Sequence, residues 1–186
     1  MLSIATLTYL VWFSSEVMLN RLFRSGSKDL RNKDRSSLRF IWWTILFCIS
    51  VAVYLSRRYF FPISSDSWLP NSGLVMIWLG VILRFCVIRS LGQFFTVDVT
   101  IRENHRLKTN GFYKYMRHPS YTASLISFAG FGLALNNWLS LLVVTLPVVI
   151  VFIVRIRIEE LVLIEKFGNE YLKYRKSTRA LIPFIY

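Results

Sequence analysis

The sequence predicts an all-α integral membrane protein, a bundle of about five transmembrane helices. Hydrophobic residues make up 54% of the 186 residues and aromatic residues 16%, which is more apolar surface than one soluble core of this size buries. Apolar stretches of roughly 20 residues, the length that crosses a hydrocarbon core of about 30 Å, recur along the chain. We therefore expect one membrane domain over residues 1–186.

The positive charge is distributed in a way that supports this fold. The net charge is +13, and seven basic residues fall in each of the segments 21–39, 84–117 and 155–179, so only Arg57 and Arg58 lie elsewhere. Basic residues confined to alternate connections are the positive-inside pattern of membrane proteins, and they also attract anionic lipids. Nucleic-acid binding is not predicted, because basic residues alone do not make a recognition surface.

The first three apolar stretches give the topology. Residues 2–22 lack a basic start and a cleavage site, so they are expected to stay as a helix with the N-terminus outside the membrane. Residues 40–61 form the second predicted span, and residues 73–91 form the third. Arg84 in the third span is expected to extend toward the inner surface; the alternative is that it faces a buried polar cavity.

The second half of the chain predicts an inner loop and a helical hairpin. Residues 92–118 are polar but rich in aromatic residues, which indicates a structured loop. Residues 119–135 and 138–154 form two short apolar runs around an Asn-Asn turn, and Pro147 is expected to kink the second run. Residues 155–176 mix apolar and charged positions at helical spacing, which predicts an amphipathic helix on the inner side.

Metal chemistry is not predicted. The two cysteines, Cys48 and Cys86, lie inside apolar stretches, and the only two histidines are His105 and His118. These residues show neither a disulfide framework nor a zinc-ligand spacing.

A first polar cluster lies in the inner loop and at the start of the fourth span. It comprises residues 105–108, 111–113 and 117–121, with Pro119 in the position that suits a first helical turn. A helix N-terminus is a natural seat for a carboxylate or phosphate, and nearby tyrosines can pack against a ring or donate hydrogen bonds. The alternative is a plain loop-to-helix junction in which His118 caps the helix.

A second polar cluster lies where the fifth apolar run ends. Arg155 and Glu159 are one helical turn apart and can pair, with Arg157 and Glu160 beside them. Burying such an ion pair near a membrane cavity costs free energy unless the pair binds a ligand, so the pair indicates a binding site. The alternative is that it is an ordinary salt bridge at a helix end. The spacing of these residues does not by itself specify a reaction.

Residues 84–183 resemble the isoprenylcysteine carboxyl methyltransferases, in their short prokaryotic form. The resemblance is carried by the following residues, in this order: Arg84, Leu91-Gly92-Gln93-Phe94-Phe95, His105-Arg106-Leu107-Lys108, Gly111-Phe112-Tyr113, Arg117-His118-Pro119-Ser120-Tyr121, Arg155, Glu159-Glu160, Phe167-Gly168, Glu170-Tyr171 and Leu181-Ile182-Pro183.

The resemblance implies an S-adenosylmethionine-dependent methyltransferase with an inner-side cofactor pocket closed by a loop and a C-terminal helix. Arg155 would anchor or polarise the substrate, and Glu159 would lie between cofactor and acceptor. The residues implied in cofactor binding are His105, Arg106, Leu107, Lys108, Tyr113, His118, Pro119, Ser120, Tyr121 and Glu159. The active site and the C-terminus would then face the cytoplasm.

The same resemblance implies a lipid or prenylated small-molecule acceptor. This chain lacks the extra N-terminal helices of the eukaryotic members that methylate prenylated proteins, so whether a protein is also a substrate is left open. Phe112 stands where many members have proline, and Lys108 where valine is frequent, so the edge of the pocket is expected to differ.

Arg155 suits a carboxylate acceptor, which is already ionised, whereas a hydroxyl acceptor needs a base such as Glu159 or His105. Carboxylate, hydroxyl, thiol and amine acceptors all remain open, as does the oligomeric state. The alternatives are a phospholipid N-methyltransferase, an NADPH-dependent membrane reductase and a non-enzymatic membrane protein.

Overall fold

The structure, a computed structural model, describes residues 3–22, 35–92 and 107–182, without the side chains of residues 35–37. These residues form α-helices and one 3₁₀ helix, and the described ranges contain no β-sheet, which confirms the all-α prediction. The elements are α1 (Ile4–Leu22), α2 (Arg35–Arg58), α3 (Trp68–Leu91), the 3₁₀ helix Gly111–Lys114, α4 (Pro119–Ala134), α5 (Trp138–Phe167) and α6 (Asn169–Ser177).

Three of these helices are long and apolar enough to cross a membrane: Leu38–Arg58, Trp68–Leu91 and Trp138–Phe167. The helix α4 has only 16 residues, so it extends about 24 Å, less than a hydrocarbon core of about 30 Å. The helix α1 has 19 residues and includes Glu16 and Arg21. Membrane crossing by α1 and α4, and with it the count of five spans, stays a prediction.

The helix α5 differs from the expected division of the chain. It continues without a break through Pro147 and past residue 154, and it ends only at Gly168, where φ is +52°. The residues between 154 and 168 include no helix breaker, whereas a positive φ is readily adopted by glycine. The prediction of one separate helix over residues 155–176 is therefore wrong. Residues 155–167 are the end of α5, and the residues after Gly168 form the short helix α6. With 30 residues, α5 is about 45 Å long, so it both crosses the bilayer and carries the polar residues that follow.

The helices α3 and α4 approach each other closely at glycine residues. A Cβ atom added to Gly80 would lie 2.6 Å from the carbonyl oxygen of Ala123 and 2.8 Å from the backbone nitrogen of Ser127. At Gly130, a Cβ atom would lie 2.7 Å from the carbonyl oxygen of Gly73. Small residues permit this close backbone contact, which is a common way for membrane helices to associate.

The substitution Gly80→Ala is expected to destabilise the protein, because the added methyl group meets backbone atoms that cannot move aside locally. Overpacking of this kind costs about 1–3 kcal/mol. Thermal unfolding of the detergent-purified protein should show a Tm several degrees lower than that of the unmodified chain. The variant Ser50→Ala, on an exposed part of α2, serves as the control, and an unchanged Tm in Gly80→Ala would contradict the close packing.

The main apolar core contains buried residues of all five long helices, α1 to α5. Trp12 of α1 packs against Phe128 and Phe131 of α4, with ring centroids 5.1 and 5.4 Å apart. Val144 and Val148 of α5 belong to the same buried cluster. This core fixes the position of α1 against the second half of α4.

The turn between α4 and α5 fixes the opposite end of the bundle. The side-chain oxygen of Asn136 accepts hydrogen bonds from the backbone nitrogens of Ile63 and Ser64, each at 3.2 Å. The side-chain amide of Asn137 donates to the carbonyl oxygen of Tyr59 at 2.8 Å. The α2–α3 connection is thus tied to the α4–α5 turn.

Candidate active site

Arg84 lies inside the bundle rather than at its surface. Its guanidinium forms an ion pair with Glu16 of α1, with 3.2 Å between Nη2 and Oε2. It also donates to the carbonyl oxygen of Ser120 at 3.1 Å and to the hydroxyl of Ser124. The expectation that Arg84 extends to the inner surface is therefore wrong, because α1 and α4 supply its countercharge and its hydrogen-bond acceptors within the bundle. The alternative of a buried polar cavity is what the structure shows.

A cavity of about 180 Å³ lies beside Arg84, at the end of the bundle where α4 begins. Its lining includes all the predicted site residues that the structure describes: Leu107, Lys108, Tyr113, His118, Pro119, Ser120, Tyr121, Arg155 and Glu159. The other two, His105 and Arg106, lie outside the described residues. The roles assigned to these residues stay predictions, but the fold brings them to one place.

The start of α4 is held by backbone contacts with residues 179–181. The amide of Arg117 donates to the carbonyl oxygen of Arg179 at 2.8 Å, and the amide of His118 donates to that of Ala180 at 3.0 Å. The hydroxyl of Thr122 donates to the carbonyl oxygen of Leu181 at 2.6 Å. The segment that follows α6 therefore positions the first turn of α4.

Glu160 joins three elements through its buried carboxylate. Its Oε1 accepts from Nε of Arg117 at 2.6 Å and lies 3.3 Å from Nε2 of His118. Its Oε2 lies 3.3 Å from Nε of Arg175 on α6. The contact with a carboxylate favours the proton of His118 on Nε2, which fixes the orientation of the ring. The carboxylate of Glu160 therefore holds Arg117, His118 and Arg175 together.

Glu159 and Arg155 both line the cavity. Oε2 of Glu159 accepts from the hydroxyl of Tyr121 at 3.2 Å and lies 3.7 Å from Nδ1 of His118. Arg155 is 1% exposed and interacts with Tyr121. Because Arg155 and Glu159 are one helical turn apart on α5, they present a cation and an anion on the same wall.

Tyr113 and Tyr174, which lie outside the membrane spans, remain protonated at neutral pH. Burial, with the charge of Glu159 adding to it, raises the pKa of Tyr113 well above its usual range. Burial raises the pKa of Tyr174 to about 12, although the nearby Arg117 opposes the change. The hydroxyl of Tyr174 donates to the carbonyl oxygen of Tyr113 at 2.6 Å. These side chains can donate hydrogen bonds in the site but cannot act as bases there.

Several residues of the site were not assigned a role from the sequence. Arg117 and Glu160 belong to the quoted motifs, but nothing in their spacing shows that they pair with each other. Trp12 and Glu16 of α1 also line the cavity, and they lie outside the stretch that carries the resemblance. Their sequence context is that of an ordinary apolar helix, so only the fold reveals them.

The comparisons with known proteins agree on one family. Residues 70–170 match the family model described as phospholipid methyltransferase. The chain is 38% identical to protein-S-isoprenylcysteine O-methyltransferase B of Arabidopsis thaliana, over 77% of this chain and 74% of that protein. It is 33% identical to protein-S-isoprenylcysteine O-methyltransferase of Schizosaccharomyces pombe, over 94% of this chain and 67% of that protein.

A solved structure gives the same result. The eukaryotic intramembrane Ras methyltransferase, an isoprenylcysteine carboxyl methyltransferase, superposes with a TM-score of 0.64 and 25% identity, covering 96% of this chain and 67% of that chain. These likenesses support the methyltransferase interpretation over the reductase and non-enzymatic alternatives. The chain belongs to the isoprenylcysteine carboxyl methyltransferase family and is a membrane methyltransferase.

Proposed function

We propose that this protein transfers the methyl group of S-adenosylmethionine to the carboxylate of a lipid-linked acceptor of the isoprenylcysteine type. The observation that carries the proposal is the placement of Arg155 and Glu159 on one wall of a cavity that apolar side chains of α1 and α2 also line. Arg155 supplies the fork that binds a carboxylate in two places. A carboxylate is ionised at neutral pH, so the acceptor needs no base.

The residues at the cavity fit the proposed cofactor by their chemistry. A sulfonium is a cation, and the cavity offers it the carboxylate of Glu159 and the aromatic rings of Tyr113 and Tyr121. Lys108 and the first turn of α4 offer positive partners for an amino-acid carboxylate. When bound, the cofactor supplies an electrophilic methyl group; the residues named here would hold it, with His105 and Arg106 as further predicted contacts.

The contribution of the protein to the reaction is alignment. Displacement at a methyl carbon requires the nucleophilic oxygen in line with the bond that breaks, and holding the reactants in that geometry supplies much of the rate. Arg155 orients the acceptor carboxylate, and Glu159 is kept in place by Tyr121 and His118. The buried position of Arg155 excludes water from the carboxylate that it holds.

An apolar wall of the same cavity suits the lipid part of the acceptor. Side chains of α1 and α2 line it, namely Phe13, Leu38, Ile41, Trp42, Ile45 and Ile49. A lipid chain placed there would contact apolar side chains, just as it contacts apolar acyl chains in the bilayer. The charged cofactor, S-adenosylmethionine, would approach from the end of the bundle where α4 begins. By the positive-inside pattern, this end is expected to face the cytoplasm.

The test is titration of the detergent-purified protein with S-adenosylhomocysteine by calorimetry, with NADPH in a parallel run. We expect saturable binding of the homocysteine compound, lost in His118→Ala, and no binding of NADPH. The exposed variant Lys176→Ala on α6 is the control and should bind normally. Binding of NADPH alone would replace the proposal with the reductase alternative.

A second assay identifies the acceptor. Labelled methyl groups are expected on N-acetyl-S-farnesylcysteine and released as methanol by base, because the product is an ester. The methyl ester of the same compound has no free carboxylate and should accept nothing. Labelling of phosphatidylethanolamine vesicles instead would establish an amine acceptor, in line with the name of the matching family model.

A further inference from the structure

A basic surface lies outside the cavity, where residues 114–117 run beside residues 175–179. Met116 and Arg179 form a parallel β-bridge that joins the two segments. Three basic side chains of these segments are exposed and form what we call the basic patch: Lys114, Lys176 and Arg179.

The basic patch has no carboxylate of its own. Residues 104–117 and 171–186 contain neither aspartate nor glutamate. Glu160, which contacts both segments, is buried and already binds Arg117 and Arg175. The segments that carry the patch therefore do not balance its positive charge, and the patch is available to an anion.

The basic patch lies at the depth of lipid phosphates. Residues 138–154 of α5 include no charged residue and charges begin at Arg155, so the hydrocarbon region is expected to end near that residue. Glu160 follows Arg155 by about 7 Å along the helix, and each headgroup layer of a bilayer is roughly 5–8 Å thick. Arg117 and Arg175 approach the carboxylate of Glu160 to 2.6 and 3.3 Å, so both segments reach this depth.

Exposed apolar side chains beside the patch also fit the membrane interface. Tyr115 is 58% exposed, and Nζ of Lys114 lies 5.9 Å from the centroid of its ring. Ile182, shortly after Arg179, is 48% exposed. Tyrosine is enriched at headgroup depth, because its ring is apolar and its hydroxyl is polar. Cations interspersed with such side chains favour an anionic lipid over a soluble acidic partner.

The two segments of the patch also position the first turn of α4. The amide of Arg117 donates to the carbonyl oxygen of Arg179 at 2.8 Å, and the following amide, of His118, makes the adjacent hydrogen bond to residue 180. A phosphate held between Lys114 and Arg179 would join the same two segments through their side chains. It would therefore strengthen the anchorage of α4 without entering the cavity.

We propose that the basic patch binds the phosphate of an anionic phospholipid in the adjacent leaflet, and that the bound lipid clamps residues 175–182 onto the start of α4. This lipid is a ligand that regulates the site from outside and is distinct from the methyl acceptor. The inference goes beyond the proposed function and does not depend on it, because lipid binding is measured without methyl transfer.

The first test is thermal unfolding of the full chain, purified in a neutral detergent and titrated with dioctanoyl-phosphatidylglycerol. A ligand that binds the folded state raises the Tm by mass action, so we expect a saturable rise that high salt reduces. Dioctanoyl-phosphatidylcholine has the same chains and no net charge, and inorganic phosphate has no chains. Neither should raise the Tm at the same concentration, and an equal rise with either compound overturns the anionic-lipid site.

Variants assign the effect to the patch. Each basic side chain near an anionic surface contributes about a fivefold factor in affinity, so Lys176→Gln combined with Arg179→Gln should raise the Kd for phosphatidylglycerol at least tenfold. Arg57→Gln combined with Arg58→Gln removes the same charge from the exposed end of α2 and is the matched control. Lys114→Gln, on the other segment, should raise the Kd about fivefold, and it provides the test if the first double variant does not fold.

The second readout is the affinity for S-adenosylhomocysteine in nanodiscs of phosphatidylcholine, with and without phosphatidylglycerol. We expect phosphatidylglycerol to raise this affinity several-fold in the unmodified chain and to leave it unchanged in the Lys176→Gln, Arg179→Gln variant. A normal Kd for phosphatidylglycerol in that variant overturns the site, and an affinity that ignores phosphatidylglycerol overturns the clamp.

The outcomes separate this inference from the proposed function. A chain whose Tm rises with phosphatidylglycerol but which binds no S-adenosylhomocysteine in either nanodisc supports the lipid site and overturns the proposed function alone. A chain whose Tm rises with a polyglutamate peptide and not with phosphatidylglycerol overturns the lipid site in favour of an acidic protein partner.

Discussion

The variant Arg155→Lys is expected to lower kcat/KM for a carboxylate acceptor by about 100-fold. Lysine keeps the charge but presents a single point donor, so the two-point contact with the carboxylate is lost. A charge-assisted hydrogen bond in a buried site is worth about 1.5–3 kcal/mol, which corresponds to this factor. Steady-state kinetics with N-acetyl-S-farnesylcysteine measure the effect.

Arg157 provides the matched control for this substitution. It lies on the same helix two residues later and is exposed, whereas Arg155 is 1% exposed. The variant Arg157→Lys should retain near-normal kinetics, and both variants should still bind S-adenosylhomocysteine. Normal kinetics in Arg155→Lys would remove the carboxylate-binding role from this residue and would favour a hydroxyl or amine acceptor.

The variant Glu160→Gln is expected to weaken the site as a whole. Its carboxylate balances Arg117, whose side chain is 9% exposed, and it also contacts His118 and Arg175. Removing one partner of a buried ion pair costs about 3–5 kcal/mol, because the other charge is left without compensation. We expect a Tm lower by several degrees or more and an affinity for S-adenosylhomocysteine reduced at least tenfold, since His118 loses its orientation.

Glu170→Gln is the control for that variant, because Glu170 is an exposed carboxylate at the start of α6. It should change neither the Tm nor the binding of S-adenosylhomocysteine by a measurable amount. A Glu160→Gln protein with normal Tm and normal binding would show that the contacts of Glu160 do not hold the site together.

The fold class could be predicted because it depends on composition. Apolar stretches of sufficient length and the alternation of basic segments identify a helical membrane protein without any tertiary information. The extent of α5 could not be predicted in the same way. The change from apolar to charged residues near position 154 marks the edge of the apolar environment, but charged residues continue a helix as readily as apolar ones do.

The candidate site was predictable where its residues are close in sequence and not where they are distant. His118, Pro119, Ser120 and Tyr121 form one contiguous motif, so their meeting at a helix start follows from local rules. The pairing of Glu16 with Arg84 joins residues from α1 and α3. No local pattern encodes it, and an isolated arginine at the end of an apolar stretch is more commonly a surface anchor.

The hydrogen bonds from the start of α4 to carbonyl oxygens of residues 178–181 have a consequence for biosynthesis. The guanidinium of Arg117 donates to the carbonyl oxygen of Thr178, 61 residues later in the chain. At about 5–20 residues per second, a ribosome needs about 3–12 s to add that stretch. During this interval α4 and α5 are themselves being made, and the first turn of α4 lacks this contact. A chain released before Thr178 would insert into the bilayer without this anchorage, so the start of α4 can be held in place only after Thr178 has been synthesised.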